Sequence, residues 1–76
     1  MRDLVEYIVK SLVVNEDAVK VTESEENDET VIHVSVANED MGRVIGKQGN
    51  VASSIRTIVK SLSARANKKV FVKFGE

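Results

Sequence analysis

The chain contains no cysteine, proline or tryptophan, and its only aromatic residues are Tyr7, Phe71 and Phe74. Without cysteine, neither a disulfide nor a thiolate metal site can brace the fold, and the composition suits a reducing compartment. Without proline there is no rigid hinge, and no low-complexity linker or internal repeat breaks the sequence. Long apolar runs are missing as well. Asp3, Glu6 and Lys10 interrupt the first hydrophobic stretch, so no signal-peptide core is expected there. Nowhere do about 18 apolar residues run together as a membrane span requires. These absences predict a cytoplasmic protein with no membrane contact. His33 is the single histidine and has no acidic or cysteine neighbours in a ligand-like pattern. Ser53, Ser54, Ser61 and Ser63 have no partnered base, so neither a catalytic constellation nor a cofactor is expected.

What is present fits one small globular domain over residues 1–76, since a chain of this length holds a single core. A hydrophobic share of 42% and a charged share of 30% exclude intrinsic disorder. Domains of this size are marginally stable, which makes self-association an expectation. The net charge of -1 hides a strong division. Residues 1–40 carry eleven acids against three bases, whereas residues 41–76 carry eight bases against Glu76 alone. A polyanion responds to the local field of one face, so the basic half is the expected docking side.

Apolar residues Leu4, Val5, Ile8, Val9, Leu12 and Val13 recur at helical spacing and predict an amphipathic helix ending near Val14-Asn15. Val19 to Thr22 alternates like a short strand, and Glu25 to Glu29 reads as a solvated acidic loop. From Thr30 the alternation resumes, with Ile32, Val34 and Val36 on one face and Val31, His33 and Ser35 on the other. Asn38 is placed to cap a short helix that runs through Ile45 and is stopped by Gly46. After Gly49, the residues Val51, Ile55, Ile58, Val59, Leu62 and Ala66 form the stripe of a longer helix ending near Asn67. Val70, Val72 and Phe74 alternate with Phe71 and Lys73 in a last strand. The expected order is α-β-β-α-α-β, an α+β domain with three helices stacked on one face of a three-stranded sheet.

Gly46-Lys47-Gln48-Gly49 is the most informative segment. Its glycines allow positive φ, and the following helix opens with unpartnered amides and a partial positive charge. Lys47 adds a cation and Gln48 a donor and an acceptor. A Walker loop is excluded, because three residues rather than four separate Gly42 from Gly46 and Gln48 follows the lysine. A dinucleotide fingerprint is excluded for want of its first glycine. The turn then either grips phosphate or is a plain corner between two helices.

The string Asp40-Met41-Gly42-Arg43-Val44-Ile45-Gly46-Lys47-Gln48-Gly49 resembles the signature of KH domains, whose VIGxxG core lies between two helices of a β-α-α-β motif. The added N-terminal helix and strand resemble the type II arrangement, over essentially the whole chain. The likeness extends to small bacterial proteins that consist of one KH domain. It implies a single-stranded RNA ligand, with a loop that grips about four nucleotides. The residues it singles out are Gly46, Lys47, Gln48 and Gly49, flanked by Arg43, Val44, Ile45 and Arg56. Ile55 and either Ile32 or Val34 are candidates for an aliphatic groove floor, though any of them could be plain core and the strand residues fit core better. Three aromatic rings cannot furnish the stacking platform of an RRM or an OB-fold, and a KH groove needs none. The resemblance further implies a homodimer, and a heteromer with a Jag-family protein that carries a KH domain of its own. Post-transcriptional regulation or RNA chaperone activity would follow, with an assembly role through protein contacts as the alternative. Val31, His33 and Phe71 are the expected self-association patch if they share the outer sheet face, while Lys68, Lys69 and Lys73 read as ordinary surface. The acidic loop is expected to border the groove opposite the glycine turn and to weaken extended binding.

Overall fold

The computed structural model describes residues 1–75. Helix α1 spans Arg2–Leu12, strand β1 Lys20–Glu26, strand β2 Glu29–Ser35, helix α2 Met41–Ile45, helix α3 Asn50–Arg65 and strand β3 Val70–Phe74. One-turn 3₁₀ segments, Glu16–Ala18 and Asn38–Asp40, lead into β1 and α2. The sheet order is β1-β2-β3, with β1 antiparallel and β3 parallel to the central strand. A parallel neighbour needs a crossover, and α2, the glycine turn and α3 supply it. The core joins Val5 and Val9 of α1, Val44 of α2, and Ile55 and Val59 of α3 to Val21, Ile32, Val34 and Val72 of the sheet. This is the expected α+β architecture.

Several local expectations are corrected. The acidic stretch is the tip of a hairpin and not a free loop: β1 and β2 stay paired as far as Glu26 and Glu29. Asn27 and Asp28 alone make the turn, both at positive φ (51° and 66°), as a two-residue primed turn requires. Alternation failed to reveal this strand because beyond Val21 it buries nothing. In α3 the buried positions are Ala52, Ile55, Val59 and Ser63. Ile58 and Leu62 project outward at 46% and 37% exposure, and Ala66 lies past the helix end. Ala52 and Ser63 are buried although small, which the spacing of large apolar residues does not signal. Helix α1 ends at Leu12, slightly before the expected Val14-Asn15.

Asn38 does not cap α2 through its side chain. The more consequential residue is Asp40, 1% exposed, whose two carboxylate oxygens accept the backbone N–H groups of Val14 (3.1 Å) and Asn15 (2.9 Å). One carboxylate therefore satisfies the chain leaving α1 and locks it to the start of α2. The N–H donors of Asn15 and Val14 hold its carboxyl below the usual range, and the Arg43 guanidinium 3.5 Å away adds to this against the opposing effect of burial. A depressed carboxyl stabilises the fold fully above the unfolded value of about 3.9, and that contribution is lost as pH falls through the folded value. Asp40→Asn is expected to lower the melting temperature by several degrees at neutral pH, since an amide cannot accept two N–H bonds with two oxygens. In thermal melts between neutral and acidic pH, the gap between parent and variant should narrow below about pH 4. A gap of constant size would mean that the charge of Asp40 contributes nothing.

Candidate nucleic-acid interface

The turn between α2 and α3 is built on three residues at positive φ. Gly46 sits at φ 78°, ψ 176°, Gln48 at φ 57°, ψ 26°, and Gly49 at φ 77°, ψ 11°. The Gly46 N–H closes α2 onto the Gly42 carbonyl at 2.8 Å, and the Gly49 N–H returns to the Gly46 carbonyl at 3.2 Å. Val51 presses against the bare Cα of Gly46. The loop is thus held from beneath, while Lys47 and Gln48 at its tip are exposed. Helix α3 has no side-chain cap, so the amides of its first turn join Lys47 in a concentration of positive potential. Arg43, beside the turn, is 58% exposed even with its contact to Asp40.

The singled-out residues divide. Gly46, Lys47, Gln48, Gly49 and Arg43 form one exposed or partly exposed cluster. Ile45 follows at 37% exposure. Val44 is fully buried, so it anchors α2 and offers no contact surface. Ile32, Val34 and Ile55 are likewise core, each at 2% exposure or less, and none floors a groove. Val31 is only 4% exposed on the outer sheet face, which removes it from the expected self-association patch. It lies on the central strand between Ser24 and Phe71. Phe71 remains half exposed.

Arg56 lies seven residues along α3 from Gly49, about 10 Å of helix, and opens a different feature. A cleft of 600 Å³ runs between α3 and β3. Its helix wall is Arg56, Lys60, Ser63 and Ala64, its strand wall Val70, Phe71 and Val72, and Lys68, Lys69 and Glu29 close the far end. A shallower hollow beyond it places Glu25, Asp28 and Glu29 beside Lys68 and Lys69. The acidic hairpin therefore borders the cleft at the end away from the glycine turn. Lys68 and Lys69, read from sequence as ordinary surface, close this cleft, and Lys60 was not singled out although Arg56, Lys60 and Ala64 recur every four residues along one helical face.

The strand wall is also a sheet edge. Thr30 N–H bonds the Lys69 carbonyl and Gly75 N–H bonds the Val34 carbonyl, which sets the alternation of the parallel ladder. The backbone groups of Val70, Val72 and Phe74 consequently point away from β2. The Val72 carbonyl accepts the Arg56 Nε–H at 3.2 Å, and the Arg56 guanidinium lies over the Phe74 ring, 5.3 Å from its centroid. A mostly apolar slot with a cationic rim and outward-facing strand backbone can hold a flat, polar-edged group attached to an anionic strand. Among the described residues no cluster of three metal-ligating side chains occurs. Among these residues, too, no helix is long and apolar enough to cross a membrane.

The KhpA/KhpB, KH domain family matches residues 2–74. The chain is 49% identical over 72 residues to "RNA-binding protein KhpA" of Caldanaerobacter subterraneus subsp. tengcongensis, covering 95% of this chain and 96% of that protein. It is 47% identical over 72 residues to the protein of the same name from Clostridium perfringens, with the same coverage of both chains. To that of Aquifex aeolicus it is 40% identical over 76 residues, all of this chain and 96% of the relative. No solved structure matches the chain significantly. The fold, the glycine turn between two helices and a family match across nearly the whole sequence agree, and the chain belongs to the KhpA/KhpB KH-domain family.

Proposed function

We propose that this chain binds single-stranded RNA, with the Gly46–Gly49 turn on the backbone and the α3/β3 cleft receiving the bases. The observation that carries the reading is a supported, exposed basic turn followed, about two helical turns further along the same helix, by a cleft with a cationic rim. The names of the relatives support it. A duplex keeps its bases stacked and inaccessible to such a slot, so single strands are preferred. Affinity of one copy is micromolar at best, since few groups make contact and the acidic hairpin limits the track. Fluorescence anisotropy at fixed salt checks this, and equal affinity for duplex and single strand would overturn it. With about three phosphates neutralised, log K falls against log salt with a slope near −2, at ~0.7 per phosphate. A flat salt response would remove the basic half as the docking face.

At the level of the cell, the reading is a cytoplasmic post-transcriptional regulator or RNA chaperone. It acts as a homodimer or with a Jag-family KH-containing partner. An assembly role through protein contacts is the second reading, and Ile58 and Leu62 favour it, since they place two large apolar side chains one turn apart on the open side of α3. Sedimentation and RNA titration of the parent beside Ile58→Asp separate the two: an assembly module loses its higher species in the variant and binds RNA in neither form.

A further inference from the structure

Arg56 is not an ordinary surface cation. A free arginine samples many rotamers and meets phosphate as a mobile charge. Here the side chain is fixed at two points, its Nε–H on the outward carbonyl of Val72 and its guanidinium over the ring of Phe74, while the residue remains exposed and lines the cleft. Both anchors belong to β3, and the outward direction of the Val72 carbonyl follows from the ladder alternation that turns it away from β2. The ring backs the guanidinium and the carbonyl fixes its position, so its ordering cost is met on folding and not on binding. What this presents to the cleft is a flat, delocalised cation, in a chain with too few aromatic rings for a stacking platform.

We infer that Arg56, backed by Phe74 and pinned by Val72, is the nucleobase shelf of the cleft, and that it sets a preference for purines over pyrimidines. The inference rests on the RNA-binding reading above. Bases stack on guanidinium planes as they do on aromatic rings, and a purine overlaps the plane more fully than a pyrimidine. A phosphate contact would carry no such preference.

The test compares hexamers of adenylate and uridylate by anisotropy, at several salt concentrations, for the parent and two variants. The parent binds the adenylate hexamer at least fivefold tighter. Arg56→Lys keeps the charge and loses the plane. It is expected to weaken adenylate binding about tenfold, bring the two hexamers level and leave the salt slope unchanged. Phe74→Leu keeps apolar volume and removes the ring, and reproduces the loss of preference. Combining the two changes costs little more than either alone, because they dismantle one shelf. If Arg56→Lys binds both hexamers like the parent while Arg56→Ala reduces the salt slope by about 0.7, the residue is a phosphate contact and the inference fails. It fails equally if the parent does not distinguish the hexamers. A parent that binds neither overturns the RNA-binding reading itself, which the glycine-turn variant described below tests independently of Arg56. Melting temperatures accompany each variant, and Arg56→Lys alone decides the matter if Phe74→Leu does not fold.

Discussion

Replacing Lys47 and Gln48 together by aspartate is expected to reduce affinity for single-stranded RNA at least tenfold, about 1.4 kcal/mol, with the fold unchanged. The effect has an electrostatic part and a conformational part. Phosphate approaching the turn meets the amides opening α3, the partial positive charge of that helix end and the Lys47 ammonium. Two carboxylates at the tip oppose all three at the distance where the phosphate must sit. The backbone accepts the change, since both side chains are exposed and neither belongs to the core. Position 48 is even suited to it, because its φ of 57° is left-handed and Asp tolerates that region better than Gln. The melting temperature should therefore stay within about 3 °C of the parent. A control with aspartates at Lys20 and Thr22, exposed positions on β1, tests the charge change away from the turn and should bind nearly as the parent does. If the Lys47, Gln48 pair binds RNA like the parent, the turn is only a corner between helices and the assembly reading takes its place.

How far the fold could be read in advance depended on whether a segment's periodicity recorded its burial. Helix α1 and strand β3 were legible because Val5, Val9 and Val72 sit at the spacing their burial requires. Strand β1 was largely illegible: after Val21 every residue from Thr22 to Glu26 is exposed, and only pairing with β2 holds it extended. The stripe of α3 was blurred for the converse reason, with Ser63 buried and Ile58 exposed. The bounds of the glycine turn were legible to the residue, as Gly46 and Gly49 mark them in local sequence. The cleft was not. Arg56 and Lys60 meet Val70 and Val72 only because the crossover lays β3 alongside α3, and no local pattern reports that juxtaposition. The same limit hid Asp40, which looks from sequence like a first-turn acid and in fact closes the distant backbone of Val14 and Asn15.

The two glycines of the turn are expected to respond very differently to alanine, with Gly46 giving the larger effect. A Cβ at Gly46 would overlap Cγ2 of Val51 and would lie 2.7 Å from its Cβ and 2.9 Å from its backbone nitrogen. The last of these cannot be relieved by a rotamer change, because that nitrogen opens α3. The conformation adds its own cost: φ 78° with ψ 176° is a region that essentially only glycine occupies. Gly46→Ala should then cost about 3 kcal/mol or more, a large share of the roughly 5 kcal/mol that holds a domain of this size. In a thermal melt that is a drop of about 15 °C. Gly49 is left-handed too, at φ 77° and ψ 11°, but a Cβ there meets nothing within 4 Å. Its alanine variant should cost only about 1 kcal/mol, the ordinary penalty for a side chain in that region. Asparagine at the same position should recover part of it. Melts of the three variants compare a steric constraint with a purely conformational one inside a single four-residue motif. If Gly46→Ala melts like Gly49→Ala, then Val51 and α3 can move aside, and the turn is not the braced platform on which phosphate binding depends. A drop confined to Gly46 would establish that the first glycine is required by packing against Val51 and the second by backbone handedness alone. Loss of RNA binding in Gly46→Ala would then report a displaced α3, whereas loss in Gly49→Ala at nearly parental stability would report the approach of the ligand to the turn.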